Sequence, residues 1–126
     1  QKSNLDYAHG TGHGVGFFLN VHEGPQSISK TNIVKIKEGM ILSNEPGFYK
    51  NNKFGIRIEN LVYVKKEKKK TFFENLTMVP IEKDLINFNL LTKFEKDYLF
   101  KYHLDVYCKL SKYLNSREKK WLLTLI

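Results

Sequence analysis

Two histidines lie four positions apart in a glycine-rich segment, HGTGHGVG at residues 9–16. Each glycine costs about 1 kcal/mol relative to alanine inside a helix, so the segment is predicted to be a loop or an extended strand. Alternate side chains of an extended chain share one face, so His9, Thr11 and His13 would point the same way. The glycines between them would allow another group to approach the backbone closely. This pattern is typical of the wall of a binding site.

A third histidine, His22, makes a cluster, because all three fall within a span of 14 residues. Imidazoles are the commonest metal ligands in proteins and also common general acids and bases. The cluster therefore indicates a metal-binding or catalytic site. The fourth histidine, His103, stands alone in a helical pattern, and we interpret it as a packed or surface residue.

Two glutamates complement the histidine cluster. Glu45 directly precedes Pro46, which favours an extended backbone at Glu45. Glu59 lies in an apolar segment two residues after Arg57, and a buried carboxylate needs a cation or it protonates. From spacing alone, we favour interpreting Glu59 as the partner of Arg57 or a lysine in an ion pair. By the same criterion, Glu45 would be a residue of a surface turn.

Taken together, His13, Glu45 and Glu59 offer one nitrogen and two carboxylates. This donor set suits Mn, Zn, Co or Fe better than Mg or Ca, which prefer oxygen throughout. It also suits a centre in which two ions about 3.5–4 Å apart share bridging carboxylates and activate a water molecule. Three ligands cannot fill such a centre, so the others must come from elsewhere.

Strands and turns are predicted for the first half of the chain. Met40–Asn44 is predicted to be a strand that leads into a Pro46–Gly47 turn, and Phe54–Val64 a single long strand. Thr71–Val79 is predicted to pair back as a hairpin. The apolar face of the long strand is predicted to contain Ile56, Ile58, Val62 and Val64, and the opposite face Arg57 and Glu59.

The second half is predicted to be helical. Thr92 and Glu95 have the spacing of a capping box, so a helix is predicted from Thr92 to about Leu114. Asn115–Glu118 gives a second capping signal, followed by an apolar turn. The long helix is predicted to carry one apolar stripe that faces a core or a partner, such as the sheet or a dimer interface. The stripe contains Phe94, Tyr98, Leu99, Tyr102, Val106, Leu110 and Tyr113, and we interpret Cys108 as a packing residue.

Composition limits the classes of partner. The 126 residues carry a formal charge of +8 and one cysteine, so no disulfide framework is expected. The densest positive charge is at Lys65, Lys66, Lys68, Lys69 and Lys70, which we interpret as a solvated turn and not as a nucleic-acid surface. No apolar run approaches the roughly 18 residues of a membrane span, so neither nucleic acid nor membrane is an expected partner. The chain opens at Gln1 without Met or signal peptide, so we expect a piece of a longer protein.

Three motifs in order resemble one family: HGTGHGVGFFLNVHEGP at 9–25, GMILSNEPGFY at 39–49 and FGIRIENLVYV at 54–64. They resemble the C-terminal part of the catalytic domain of cytosolic eukaryotic aminopeptidase P, a pita-bread metallopeptidase. The segment at 72–92 resembles that family's C-terminal extension. The resemblance implies an α+β fold in which the antiparallel sheet of the pita-bread domain occupies residues 1–80 and a helical extension occupies 81–126.

The resemblance also implies roles for the candidate residues. His13 and Glu45 would bind one metal ion, and Glu59 would bridge two, usually Mn²⁺ with Zn²⁺ and Co²⁺ as alternatives. Glu45 would also take the proton of the bridging water. His9 and His22 would line the substrate cleft and hold the scissile carbonyl or proline, and Arg57 would support the metal-binding carboxylates.

The function implied is hydrolysis of the bond between an N-terminal residue and a following proline, by a cytoplasmic enzyme that is commonly a homodimer. Two metal-binding aspartates of the family lie upstream of this stretch, so the chain alone is expected to be inactive. One alternative is a catalytically inactive pita-bread module used for binding, against which the intact histidines and glutamates argue. Another is a basic RNA- or membrane-binding module, which would show steeply salt-dependent binding.

Overall fold

The computed structural model of the chain describes residues 5–18 and 20–126. Leu19, inside the first motif, therefore lies outside the described residues. The first half forms short antiparallel strands in three sheets, ordered β1-β2, β3-β6-β7 and β4-β5. The strands are β1 (Gly12–His13), β2 (Ser27–Ile28), β3 (Ile41–Asn44), β4 (Gly47–Lys50), β5 (Phe54–Arg57), β6 (Asn60–Glu67) and β7 (Lys70–Asn75).

The predicted long strand from Phe54 to Val64 is wrong, because the chain leaves strand geometry at Ile58 and Glu59. Its first part, β5, pairs with β4, and its second part, β6, pairs with β3. Gly47 therefore begins a strand that the sequence did not predict. Proline has no N–H to donate to a strand ladder, so Pro46 interrupts the pairing opposite Ile58, although its carbonyl still accepts from the Ile58 N–H at 3.2 Å.

The sheet core is small and lies on β3 and β6. Leu42, Val62 and Val64 are buried, and Ile28, Ile36 and Met40 pack against them. The predicted burial of Val62 and Val64 is thus confirmed. That of Ile56 and Ile58 is wrong, since they are 41% and 48% exposed. The predicted hairpin is confirmed as the β6-β7 pair, although β7 ends at Asn75.

The helical half begins with two 3-10 turns, Lys83–Leu85 and Phe88–Leu90, and contains α1 (Lys93–Leu110) and α2 (Ser116–Leu123). Both predicted capping boxes are confirmed, with Thr92 bonded to Glu95 and Asn115 to Glu118. The long helix ends at Leu110 and not at Leu114, because Ser111–Tyr113 tightens into a 3-10 turn.

A second core joins the two helices through Tyr102, Val106 and Leu122. The predicted apolar stripe of α1 is buried only in its middle, since Phe94, Tyr98 and Tyr113 are 81%, 50% and 74% exposed. The interpretation of Cys108 as a packing residue is wrong, because it is exposed. The second core lies close to His103, which is 4% exposed.

The chain divides into two compact units, the first ending at Thr77 and the second being Met78–Ile126. The sequence-based boundary after residue 80 stays a prediction of domain organisation. Among the residues that the structure describes, no helix is long and apolar enough to cross a membrane.

Candidate metal centre

Strand β1 places His13 beside β3, and Glu45 directly follows β3 in the chain. A Cβ atom at Gly12 would overlap the carbonyl oxygen of Ser43, so only glycine allows the two strands to approach this closely. Gly14 continues the contact by bridging to Leu42. Gly12 therefore serves the approach of β1 to β3.

Ser43 connects the two candidate ligands. Its side chain is fully buried, and its Oγ accepts from the His13 backbone N–H at 2.9 Å while donating to Glu45 Oε1 at 2.8 Å. A hydroxyl can donate and accept simultaneously, so one side chain fixes both the backbone of His13 and the carboxylate of Glu45.

The donor atoms of His13 and Glu45 meet. His13 Nε2 lies 3.1 Å from Glu45 Oε1, and Glu45 is only 7% exposed. His13 Nδ1 donates to the Gly14 carbonyl at 2.9 Å, so in the neutral ring Nε2 is the atom that carries a lone pair. A second hydrogen bond that fixes the ring in this way is typical of histidines that bind metals.

This donor pair fits a divalent metal ion. Ligand atoms about 2.1 Å from one ion and at right angles to each other are about 3.0 Å apart, close to the 3.1 Å between His13 Nε2 and Glu45 Oε1. One imidazole nitrogen and one carboxylate oxygen suit Mn, Fe, Co or Zn. Two ligands are too few for a complete site.

Arg57 holds the other oxygen of Glu45, with Nη1 donating to Oε2 at 2.8 Å. The pKa of the Arg57 guanidinium is raised above its ordinary value, chiefly by the hydrogen bond to Tyr49 and further by the charges of Glu45 and Glu59. Arg57 is therefore a permanent cation next to the candidate metal ligand.

Tyr49 extends this network to His9. Its hydroxyl accepts from Arg57 Nε at 2.8 Å and lies 2.8 Å from His9 Nε2. Because His9 Nδ1 donates to the Gly10 carbonyl at 2.7 Å, the neutral ring accepts at Nε2 and Tyr49 donates there. His9 and Glu45 are thus linked through Tyr49 and Arg57.

The His22 ring lies next to the His13 ring, with 4.1 Å between the ring centroids. It is exposed, whereas His13 is half-buried. The structure thus brings His13, His22 and Glu45 together, and it joins His9 and Arg57 to them by hydrogen bonds.

Glu59 is the predicted ligand that does not join the cluster. Among residues 5–18 and 20–126, no group of three or more His, Cys, Asp or Glu side chains is arranged to hold a metal ion. The register nevertheless points to Glu59, because the pairs Asn44–Asn60 and Gly47–Arg57 imply that Glu45 and Glu59 are opposite each other where the ladder is interrupted. The assignment of Glu59 as a ligand stays a prediction.

Sequence reasoning missed Ser43 and Tyr49. Ser43 had a weak signal, since residues two apart on a strand share one face and Ser43 precedes Glu45 by two. For Tyr49 the signal was its cross-strand neighbour Gly55, where a Cβ would overlap the tyrosine ring, but that pairing is not visible without the fold.

Two family models match the chain in succession. Residues 1–66 match the model of metallopeptidase family M24, and residues 71–125 match the model of the C-terminal region of peptidase M24. The chain belongs to metallopeptidase family M24. Its fold is accordingly the C-terminal part of an α+β pita-bread domain followed by a helical extension, as the resemblance implied.

Curated relatives align with nearly all of the chain. It is 46% identical over 134 residues to a probable Xaa-Pro aminopeptidase P of Laccaria bicolor, covering 96% of this chain and 21% of the relative. It is also 46% identical over 131 residues to Xaa-Pro aminopeptidase 1 of Dictyostelium discoideum, covering 94% of this chain and 21% of the relative. The chain spans about a fifth of the length of these curated relatives.

A solved structure matches both units. The crystal structure of X-prolyl aminopeptidase from Caenorhabditis elegans, described as a cytosolic enzyme with a di-nuclear active site, is 38% identical with a TM-score of 0.89. The match covers 98% of this chain and 22% of that one.

Proposed function

We propose that this chain supplies part of the active site of a dinuclear X-Pro aminopeptidase. The observation that carries the proposal is the 3.1 Å approach of His13 Nε2 to Glu45 Oε1, held by Ser43 and Arg57. The similarity to Xaa-Pro aminopeptidases supports the substrate class. The full-length protein would act on peptides with proline in the second position, in the cytoplasm and as a homodimer.

The residues that would hold the metal are His13 through Nε2 and Glu45 through Oε1, with Glu59 bridging. Two divalent ions, for which we propose Mn²⁺, would supply Lewis-acid chemistry and a water molecule of lowered pKa. The remaining ligands would come from parts of the full-length protein outside this chain.

Glu45 is suited to move a proton. Arg57 and Ser43 fix its two oxygens, so it cannot rotate away from the reacting atoms. We propose that Glu45 takes the proton of the attacking water and passes it to the proline nitrogen as the peptide C–N bond breaks, which is general acid–base catalysis by one carboxylate.

His9 and His22 are suited to hold the substrate. His22 is exposed beside the ring of His13, so a carbonyl near the metal site would lie within its reach. His9 lines a cleft of about 500 Å³ together with Tyr7, Thr11 and Ser29, which is large enough for a peptide residue.

The test compares two histidine variants of the full-length protein. His13→Ala is expected to lose bound metal together with hydrolysis, because Nε2 is a proposed ligand. His22→Ala is expected to keep its metal and to lower kcat about 10²-fold, the scale of a lost catalytic group. The measurements are metal content by mass spectrometry and cleavage of Ala-Pro-Ala against an Ala-Ala-Ala control.

A His13→Ala protein that retains both metal and activity would overturn the ligand assignment. Full metal content without cleavage of any X-Pro peptide by the unmodified protein would favour the catalytically inactive binding module. Equal cleavage of both peptides would contradict the proposed specificity for proline.

A further inference from the structure

The second unit contains a cavity separate from the candidate metal centre. Its volume is about 430 Å³, and Phe88, Leu99 and Phe100 supply apolar side chains to its wall. Cavities of roughly 300–1,000 Å³ with mostly apolar walls and a few polar groups are typical of sites for small molecules. The polar groups decide which molecule would fit.

His103 contributes one polar group of known orientation. It is 4% exposed, and its Nε2 accepts from the Ile81 backbone N–H at 3.1 Å. An N–H donor requires a lone pair at Nε2, so the proton of the neutral ring is on Nδ1. His103 therefore has one remaining donor, the Nδ1–H group.

That donor has no protein acceptor among the residues that the structure describes. Within the same residues, every side-chain nitrogen or oxygen that is fully enclosed has a hydrogen-bond partner, so Nδ1 must reach accessible space. His103 lines the cavity, which provides that space. The Nδ1–H group is therefore free to donate to a ligand acceptor inside the cavity.

The charges around the cavity favour an anionic acceptor. Among the charged side chains that line it, Lys83 and Lys96 are basic and Asp84 is acidic. The ammonium group of Lys83 donates to the Thr124 carbonyl, which anchors it at the wall. Lys96 is exposed and forms no ion pair within the described part of the chain, so its ammonium group is available to a ligand.

We propose that this cavity binds a small organic carboxylate that carries an aromatic or branched apolar group. The carboxylate would accept from His103 Nδ1–H and pair with Lys96, since hydrogen bonds with an ionised partner are the strong ones. The apolar group would lie against Phe88, Leu99 and Phe100. The site belongs to the second unit, so it does not depend on the proposed peptidase activity.

Phenylacetate is a suitable probe, and methyl phenylacetate is its uncharged control. Titration calorimetry and saturation-transfer NMR with the full-length protein are expected to detect binding of the acid and at least about tenfold weaker binding of the ester, the loss of one charge-assisted hydrogen bond. Lys96→Gln is expected to weaken binding of phenylacetate by a similar factor. Lys101→Gln, on the same helix but outside the cavity, is the matched control and should leave binding unchanged.

His103→Gln tests the second contact and is expected to weaken binding of phenylacetate at least about tenfold, because the imidazole Nδ1–H donor is removed. If its unfolding temperature falls well below that of the unmodified protein, the Lys96 and ester comparisons decide instead. The proposal is overturned if the acid does not bind, if the ester binds as well as the acid, or if Lys96→Gln and Lys101→Gln bind the acid equally.

Discussion

The phenol of Tyr49 connects His9 to Arg57 in the candidate site. Tyr49 accepts from Arg57 Nε and lies within hydrogen-bond distance of His9 Nε2, both at 2.8 Å. Arg57 has only donors, and the Nδ1–H of His9 is already bonded to the Gly10 carbonyl. The directions of these hydrogen bonds therefore follow from donor counts alone. We infer that Tyr49 holds His9 and Arg57 in fixed positions relative to Glu45.

We expect Tyr49→Phe to lower kcat/KM for an X-Pro peptide about tenfold, corresponding to about 1.4 kcal/mol. The reason is that His9 would lose a neutral hydrogen bond and Arg57 would lose a charge-assisted one. Metal content should stay unchanged because the hydroxyl of Tyr49 bonds to His9 and Arg57, neither of which is a proposed metal ligand. The measurements are steady-state kinetics and metal analysis of the full-length protein.

Tyr113→Phe is the matched control, since this side chain is 74% exposed in the other unit. Equal kinetics for Tyr49→Phe and the unmodified protein would show that the network has no part in catalysis. Loss of metal in Tyr49→Phe would show instead that it acts on the ligands.

At this scale the sequence predicted the groups with distinctive chemistry and missed those that support them. His13 and Glu45 were found because imidazole and carboxylate are metal ligands, and the structure brings them together. Serine and tyrosine occur everywhere on strands, so Ser43 and Tyr49 gain meaning only from neighbours that are distant in sequence.

Among the elements, the approach of β1 to β3 places His13. The contact depends on Gly12, where a Cβ would overlap the carbonyl oxygen of Ser43. Backbone atoms cannot move aside as the end of a flexible side chain can. The two strands would therefore have to separate to accept any larger residue.

We expect Gly12→Ala to lower the free energy of unfolding by about 1–3 kcal/mol, the usual cost of overpacking. It should also lower metal content, because the displaced strand carries His13. Thermal unfolding and metal analysis of the full-length protein test both effects. Gly24→Ala is the matched control, since a Cβ there has no atom within 4 Å and should change neither quantity. An equally stable Gly12→Ala protein with full metal content would contradict this account of the glycine.

Local signals predicted elements better than periodic ones. The capping boxes at Thr92 and Asn115 involve residues three apart, so the sequence contains the whole motif, and each of these two residues lies directly before a helix. The apolar stripe of α1 is longer than its buried part, because periodicity indicates an apolar face but not how much of that face this chain covers. Helix α2 has eight residues against the 18 of α1, so residues near the ends of α1 such as Phe94 remain exposed.

For the molecule as a whole, the number of metal ligands in the candidate centre determines how tightly the chain can bind metal ions. The described residues bring the His13 imidazole and the Glu45 carboxylate into contact, and no group of three or more of their His, Cys, Asp or Glu side chains is arranged to hold a metal ion. From the sequence, further ligands are expected to come from elsewhere, because three ligands cannot fill a two-metal centre. The chain spans about a fifth of the length of its relatives, which leaves room elsewhere for the missing ligands.

We therefore expect the 126-residue chain to bind Mn²⁺ weakly, with less than about one ion bound at 0.1 mM, and the full-length protein to bind two ions, as a complete two-metal site would. Loss of the electron paramagnetic resonance signal of free aqueous Mn²⁺ measures the uptake of ions by each of the two proteins. His13→Ala is the control for location, and it should lower uptake by the full-length protein while changing that of the shorter chain little. Tight uptake of two ions by the 126-residue chain would contradict this expectation, because the ligands would then have to lie within residues 1–126 in an arrangement different from the one described here.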